Sequence, residues 1–428
     1  MNEPTRYDEF CQFRQEIRGS SEHLIVGIDV AKGSHRVFFG SATGRSLLRR
    51  LTITNSRAGF EQLLERTDQI QRQHGLPKAV YVVEPTGNYH KPLAHWLQCH
   101  DQMVVLVSNK AIAENRETMD GRWDKNDTKD SANAADLVAQ AKCQFFQRPD
   151  AAIRALRTLL SLRERLKKDE HAVRMQIRNG LVAKYFPEFD SLWGSCLHEN
   201  IALVRECLSP RKIVKMGFDA FVRTVASRDR GAAQLCRLQR IYVAAEDSIG
   251  CAMDEEAEFE ARIITAHWSQ LRQYINDTDA RISTLCGRFD AYPRLLTIPG
   301  FGPFVAAQVV GHIGDPFRFK APKQVIRLAG YDLNAKRSGI RSDRAIPIIS
   351  KRGNASLRYA LYQAALTATC HDPGFRTLFT RYLQGREKER GIRTKARVKL
   401  ATKMVVIAWT IMKNGQVYNP SLLEVTIG

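Results

Sequence analysis

Several protein classes are excluded by what this 428-residue chain lacks. It has nine cysteines, but no Cys-x-x-Cys and no Cys/His cluster at zinc-ligand spacing. Cys11, Cys99, Cys143, Cys236 and the rest are scattered, and they read as reduced thiols of a cytosolic chain rather than a disulfide framework. No apolar run approaches the length of a membrane span. The stretch Met1 to Ser20 is charged and has no apolar h-region, so no signal peptide is expected. There is no phosphate-binding P-loop. Acids are in short supply: 45 Asp and Glu face 65 Lys and Arg, a net charge of +20, and the pI is near 9.7. Such an imbalance points to a polyanionic partner, most often nucleic acid. What remains is 44% hydrophobic, enough for packed cores, and the length suggests two or three domains.

Residues 20–148 read as an α/β domain. His23 to Val30 (HLIVGIDV) is a continuous apolar, β-branched run, the pattern of a strand covered on both faces. Asp29 interrupts it. Gly27, two residues earlier and so on the same face, leaves space beside the carboxylate. Further strands are predicted at His35–Gly40, Ser46–Thr54, Ala79–Val83 and Met103–Val107, with helices at Arg57–His74 and Tyr89–Cys99. Glu84 ends the fourth strand, before the break Pro85-Thr86-Gly87. Ser108 to Asn126 is polar and reads as a connection into a last helix.

That helix begins at Lys125-Asn126-Asp127-Thr128-Lys129-Asp130. Ala134, Leu137, Val138 and Ala141 recur at helical spacing, and the stripe extended backwards passes through Asp130 and Asp127. Asp136 falls off it. Two carboxylates one turn apart on a buried face are costly unless a cation neutralises them, and hard divalent ions take such oxygens. In isolation the pair has a plainer reading: Asp127 caps the helix and Asp130 complements its first turn. The element order is three strands, helix, strand, helix, strand, helix, the order of an RNase H-like fold. Its first and fourth strands are central neighbours. Asp29, Glu84, Asp127 and Asp130 then converge, as a two-metal site for phosphoryl transfer requires.

Residues 149–290 are predicted to be helical. Long helices at Ile153–Ala183 and Ala244–Phe289 suggest an antiparallel hairpin or coiled coil, with a small helical subdomain inserted at Tyr185–Arg240. No chemistry is evident there; the region reads as a spacer and oligomerisation arm. Residues 291–428 are mostly helical. Leu295 to Pro303 (LLTIPGFGP) has the pattern of a helix-hairpin-helix motif, in which Gly300 and Gly302 let the backbone approach a phosphate. From Phe317 to Arg358 basic residues outnumber Asp332 and Asp343. Lys320, Lys323, Lys336, Arg337, Arg341, Lys351 and Arg352 are candidate nucleic-acid contacts, against the alternative of a solvated charged face. Ser338 stands in a Ser-Gly step beside Lys336 and Arg337, which by itself is only a turn. Arg381 to Lys399 is densely basic.

Taken in order, Gly27-Ile28-Asp29-Val30-Ala31-Lys32, Glu84-Pro85-Thr86-Gly87-Asn88-Tyr89 and Lys125-Asn126-Asp127-Thr128-Lys129-Asp130 resemble the three acidic motifs of the DEDD transposases of bacterial insertion sequences. That family includes Piv-type DNA invertases and bridge-RNA-guided recombinases. The IPGFG, RSG and ISKRGN segments around Gly300, Ser338 and Lys351 resemble its second domain. Asn126 stands where the family often has Thr, and Ser131 where Ala is common.

The resemblance implies a RuvC-like amino domain of α/β class, a helical coiled-coil middle and a mostly helical, serine-bearing carboxyl domain. It implies Mg²⁺ (or Mn²⁺) at Asp29, Glu84, Asp127 and Asp130. It assigns Ser338 as the nucleophile that forms a phosphoserine link to DNA, and makes Ser342 and Ser350 bystanders. It further implies double-stranded donor and target DNA, a structured noncoding guide RNA, and a site shared between subunits of a dimer or tetramer. A cytoplasmic, nucleoid-associated protein without membrane contact is expected. The competing readings are a metal-dependent nuclease of the Holliday-junction resolvase type, with water as nucleophile, and a catalytically silent nucleic-acid-binding protein.

Overall fold

The apolar runs of the amino-terminal third pair into one six-stranded sheet. In the computed structural model the strands are β1 (His23–Asp29), β2 (Ser34–Ser41), β3 (Ser46–Thr54), β4 (Lys78–Val83), β5 (Met103–Leu106) and β6 (Gln144–Phe145), in spatial order β3-β2-β1-β4-β5-β6. The first three form an antiparallel meander, β4 runs parallel to β1, β5 runs parallel to β4, and β6 returns antiparallel. The structure describes residues 6–85, 87–120, 127–146, 149–194, 196–226, 231–334 and 348–424. The chain divides into two units, Met1–Arg148 and Pro149–Gly428.

In the first unit the period-two alternation of β1 sorts its side chains between two cores. Leu24, Val26 and Ile28 pack with Phe60, Leu63 and Ile70 of α2 (Arg57–His74) and Leu93 and Leu97 of α3 (His90–Cys99). Ile25 packs on the opposite face, with Val80 and Val82 of β4. That face is covered by α1 (Arg6–Glu16), α4 (Asn109–Asp120) and α5 (Asp127–Ala139). The bounds of α2 follow from its caps: the Ser56 side chain accepts from Gly59 N–H, and Gly75 closes the helix at φ 68°. α1, α4 and β6 depart from the sequence-based reading. α4 occupies the stretch predicted as a polar connection: among its described side chains Ile112 is the one buried in the core, and Asn115 ties the helix to α5 by polar bonds.

The second unit is built on two long antiparallel helices, the first of them α6 (Ala151–Gln176). A π-helical turn, Ile177–Val182, leads from α6 into α7 (Ala183–Tyr185). The insert follows: α8 (Glu188–Ser191), α9 (Leu197–Glu206), α10 (Pro210–Met216), α11 (Phe218–Val225) and α12 (Ala232–Glu246). The chain returns along α13 (Glu255–Cys286), paired to α6 by Arg163–Asp279 and by Arg272–Glu170 at 3.1 Å. The predicted single helix from Ala244 to Phe289 is therefore two helices. Residues 247–254 break it, because Cys251 N–H donates to the Lys184 carbonyl at 2.9 Å, and Asp254 caps a new helix by accepting from Ala257 N–H at 2.8 Å.

Apolar residues of the α6–α13 pair divide between two cores. Val173, Ile177, Ala261, Trp268 and Leu271 join Phe186, Phe189, Phe221 and Ile241 of the insert. Leu156, Leu160, Ile282 and Cys286 join the carboxyl-terminal helices. Those helices are α14 (Ala291–Leu295), α15 (Pro303–Ile313), α16 (Pro322–Ala329), α17 (Ala355–His371), α18 (Pro373–Leu383), α19 (Ile392–Asn414) and α20 (Ser421–Glu424). A short ribbon of β7 (Leu333–Asn334) and β8 (Ile348–Ile349) stands between α16 and α17. No described helix is long and apolar enough to cross a membrane.

Candidate functional site

Asp29 is the last residue of β1, and Glu84 directly follows β4. The two strands are parallel neighbours with Ile28 opposite Val83, and Asp29 and Glu84 are the next residues along the two chains. Alternation puts Asp29 on the face of Ile25 and Gly27, and Glu84 on the face of Val80 and Val82. This is the face beneath α5, since Ile25, Val80 and Val82 share a core with Ala134, Ala135, Leu137 and Val138.

The approach of α5 depends on Gly27. A Cβ at that position would collide with the backbone carbonyl of Ser131 and lie 3.4 Å from the Ala135 methyl. The helix backbone thus lies directly on β1, two residues before Asp29. Asp130, adjoining Ser131, is 4% exposed. Asp127 opens α5, and the expectation for its side chain lies outside the described residues. The amino end of α5, where the helix dipole is positive, is thereby brought to the end of the sheet that carries the carboxylates.

Polar bonds from α4 fix α5 in this position. Asn115 Nδ2 donates to Asn133 Oδ1 at 2.6 Å and to Asp136 Oδ2 at 2.9 Å, and Asn133 Nδ2 donates to the Ile112 carbonyl at 2.7 Å. Gln140 Nε2 adds a second partner for the Asp136 carboxylate at 2.7 Å. Sequence reasoning missed Asn115 and Asn133, because an amide pair leaves no periodic signal. Asp136, which falls off the apolar stripe of α5, anchors the helix instead.

The donors that Asp29, Glu84 and Asp130 offer are hard carboxylate oxygens, which suit an ion of the Mg²⁺ or Mn²⁺ type. Among the described residues, no three His, Cys, Asp or Glu side chains are grouped closely enough to hold a metal ion.

In the second unit, β7 and β8 form the stem of the segment that contains Ser338. Residues 335–347, with Lys336, Arg337, Ser338, Arg341 and Ser342, lie outside the described residues. The stem is rigidly built. Ser350 Oγ donates to Asp332 Oδ1 at 2.5 Å, and its backbone N–H donates to the Asp332 carbonyl at 2.7 Å. Arg358 Nη1 donates to the Ala329 carbonyl at 3.0 Å, and Tyr331 O–H donates to the Arg358 carbonyl at 2.7 Å. Burial pushes the Tyr331 hydroxyl well above its ordinary range, which keeps it a donor. Below the stem Gly330 (φ 72°) and Gly353 lie back to back, each occupying the space a Cβ on the other would need.

Lys320, Lys323, Lys351 and Arg352 are all exposed. Of the two hairpin glycines, Gly300 (φ 82°) uses its missing side chain to admit the Ala364 carbonyl of α17. Gly302 has open space beside it and precedes Pro303 at the start of α15.

Two family models match the chain in sequence order. Residues 26–187 match a transposase model of the DEDD type named for IS110, and residues 292–380 match the transposase IS116/IS110/IS902 family. An uncharacterized 44.8 kDa protein of insertion element IS116 from Streptomyces clavuligerus is 23% identical over 406 residues, spanning 94% of this chain and 97% of its own. The transposase for insertion sequence element IS1111A of Coxiella burnetii is 21% identical over 406 residues, spanning 95% of this chain and 94% of its own. A pilin gene-inverting protein of Moraxella bovis is 30% identical over 145 residues, spanning 33% of this chain and 42% of its own.

Proposed function

The chain belongs to the DEDD transposases of bacterial insertion sequences, and we propose on that premise that it is a DNA recombinase of the phosphoserine type. One observation supports the reading: β1 and β4 run parallel with Ile28 opposite Val83, so Asp29 and Glu84 follow neighbouring strands at the same end, on the face covered by the helix that carries Asp130. The strand order, a three-stranded antiparallel meander continued by two parallel strands, supports an RNase H-like assignment for this unit.

In this proposal Asp29, Glu84, Asp127 and Asp130 hold divalent metal. When bound, such an ion supplies stabilisation of the charge that develops on a scissile phosphate. The remaining work belongs to the chain. The Ser338 hydroxyl loses its proton and its Oγ bonds to phosphorus, while the bond from phosphorus to the leaving sugar oxygen breaks and that oxygen takes up a proton to become a hydroxyl. After strand exchange a sugar hydroxyl attacks the phosphoserine, the Oγ–phosphorus bond breaks, and serine is regained. Each cut conserves one phosphodiester-like bond, so rejoining needs no external energy source.

The acids and Ser338 belong to different units. The reading includes a site shared between subunits of a homo-oligomer, a structured noncoding RNA that selects donor and target by base pairing, and a working place in the cytoplasm with the nucleoid. The net charge of +20 supports nucleic-acid partners in general. The test is strand exchange between labelled donor and target duplexes with the flanking noncoding RNA and Mg²⁺. Asp29→Asn or Glu84→Gln should abolish it without unfolding the protein. Exchange that survives both substitutions sinks the acidic site.

A further inference from the structure

From Ile241 to Ala261 the chain carries seven acids and no Lys or Arg. The net charge of +20 is thus −7 within these 21 residues and +27 elsewhere. Six of the seven, including Glu246, Asp254, Glu256 and Glu260, are exposed, and none is ion-paired within the described residues. A surface of this sign repels a nucleic-acid backbone.

Large apolar side chains stand among these acids. Ile249 is 84% exposed, Phe259 59% and Val243 51%, and Ile263, one turn beyond Phe259 on α13, is 55% exposed. Ile249 is not on a loose tip. Glu188 accepts from Ser248 Oγ at 2.7 Å and from Ile249 N–H at 3.0 Å, and Gly250 is seated so closely on the Tyr185 carbonyl that no Cβ would fit. A loop fastened this firmly, holding an isoleucine out in water, is built for contact rather than for folding.

The geometry points to a protein-docking surface on the α12–α13 corner whose occupant is a second copy of this chain. The same insert supplies the complement. α10 exposes Arg211, Lys212 and Lys215 around Val214, which is 39% exposed, and Arg223 follows on α11. Acidic apolar corner meets basic apolar helix, and a two-fold axis makes the match twice. This rests on the oligomeric part of the reading above and locates its interface.

Charge exchange tests it, read as molar mass by light scattering and sedimentation across a dilution series. Glu256→Lys with Glu260→Lys should weaken self-association by about tenfold, and so should Lys212→Glu with Lys215→Glu. The two sets combined should restore it, and rising salt should weaken the wild type. Association that none of the variants changes overturns this surface while leaving the oligomer standing. Weakening by either set without restoration overturns the second copy as occupant. A wild type that stays monomeric at every concentration overturns the surface and the oligomer together. Strand exchange by the same samples reports separately on the catalytic reading.

Discussion

The backbone carbonyl of Ser131 occupies the space that a side chain on Gly27 would fill. This contact lets α5, which carries Asp130, lie on β1 two residues before Asp29. Gly27→Ala forces the helix outward. The expected cost is about 1–3 kcal/mol of stability, with strand exchange lost even where the protein still folds. Gly33→Ala, which meets open space, should change stability by less than about 0.5 kcal/mol. Thermal melts of the two variants, with exchange assays beside them, check the contrast.

Asn115→Ala removes the donor shared by Asn133 and Asp136 but leaves the carboxylates in place. It should cost about 1–2 kcal/mol and raise the Mg²⁺ concentration needed for half-maximal exchange. An unchanged Mg²⁺ titration would show that the α4–α5 tie does not position the acids.

Glu199 is buried at 4% exposure, ion-paired to Arg237 Nη1 and accepting from Gln234 Nε2. Arg237→Ala leaves that carboxylate without its cation and should destabilise the insert by about 3–5 kcal/mol. Hydrogen exchange should show early opening of α9 and α12, while the β-sheet unit keeps its protection.

Burial, and secondarily the nearby Arg157, lowers the pKa of His312 from 6.5 to about 4, and Asn354 Nδ2 sits 3.0 Å from its Nδ1. A base with a depressed folded-state pKa favours the neutral form. Its contribution is complete above the unfolded value of 6.5 and is lost as pH falls towards 4. Denaturant unfolding of the second unit should weaken through that window, and His312→Gln should flatten the dependence.

The sheet was legible because β1 and β4 are apolar runs rich in β-branched residues, and α2 because Ser56 and Gly75 mark its ends. Asp29 stands out in the sequence because it interrupts an apolar run, and Glu84 because it ends one. α4 was not, since its hold on α5 is made by amides that carry no period. α1 does carry a period, in Phe10, Phe13 and Ile17, but charged neighbours mask it. The break before α13 depends on Gly250 meeting Tyr185, a contact across 65 residues that no local window contains. The Glu199–Arg237 pair is hidden for the same reason.

Covalent serine chemistry supported by four acids leaves a direct chemical trace. The most direct measurement is a denaturing gel of the protein with labelled donor and target DNA, the flanking noncoding RNA and Mg²⁺. The wild type should give a protein–DNA adduct that survives denaturation and is absent in Ser338→Ala. Free cleaved ends with no adduct, in wild type and variant alike, would contradict it and leave a metal-dependent nuclease that uses water.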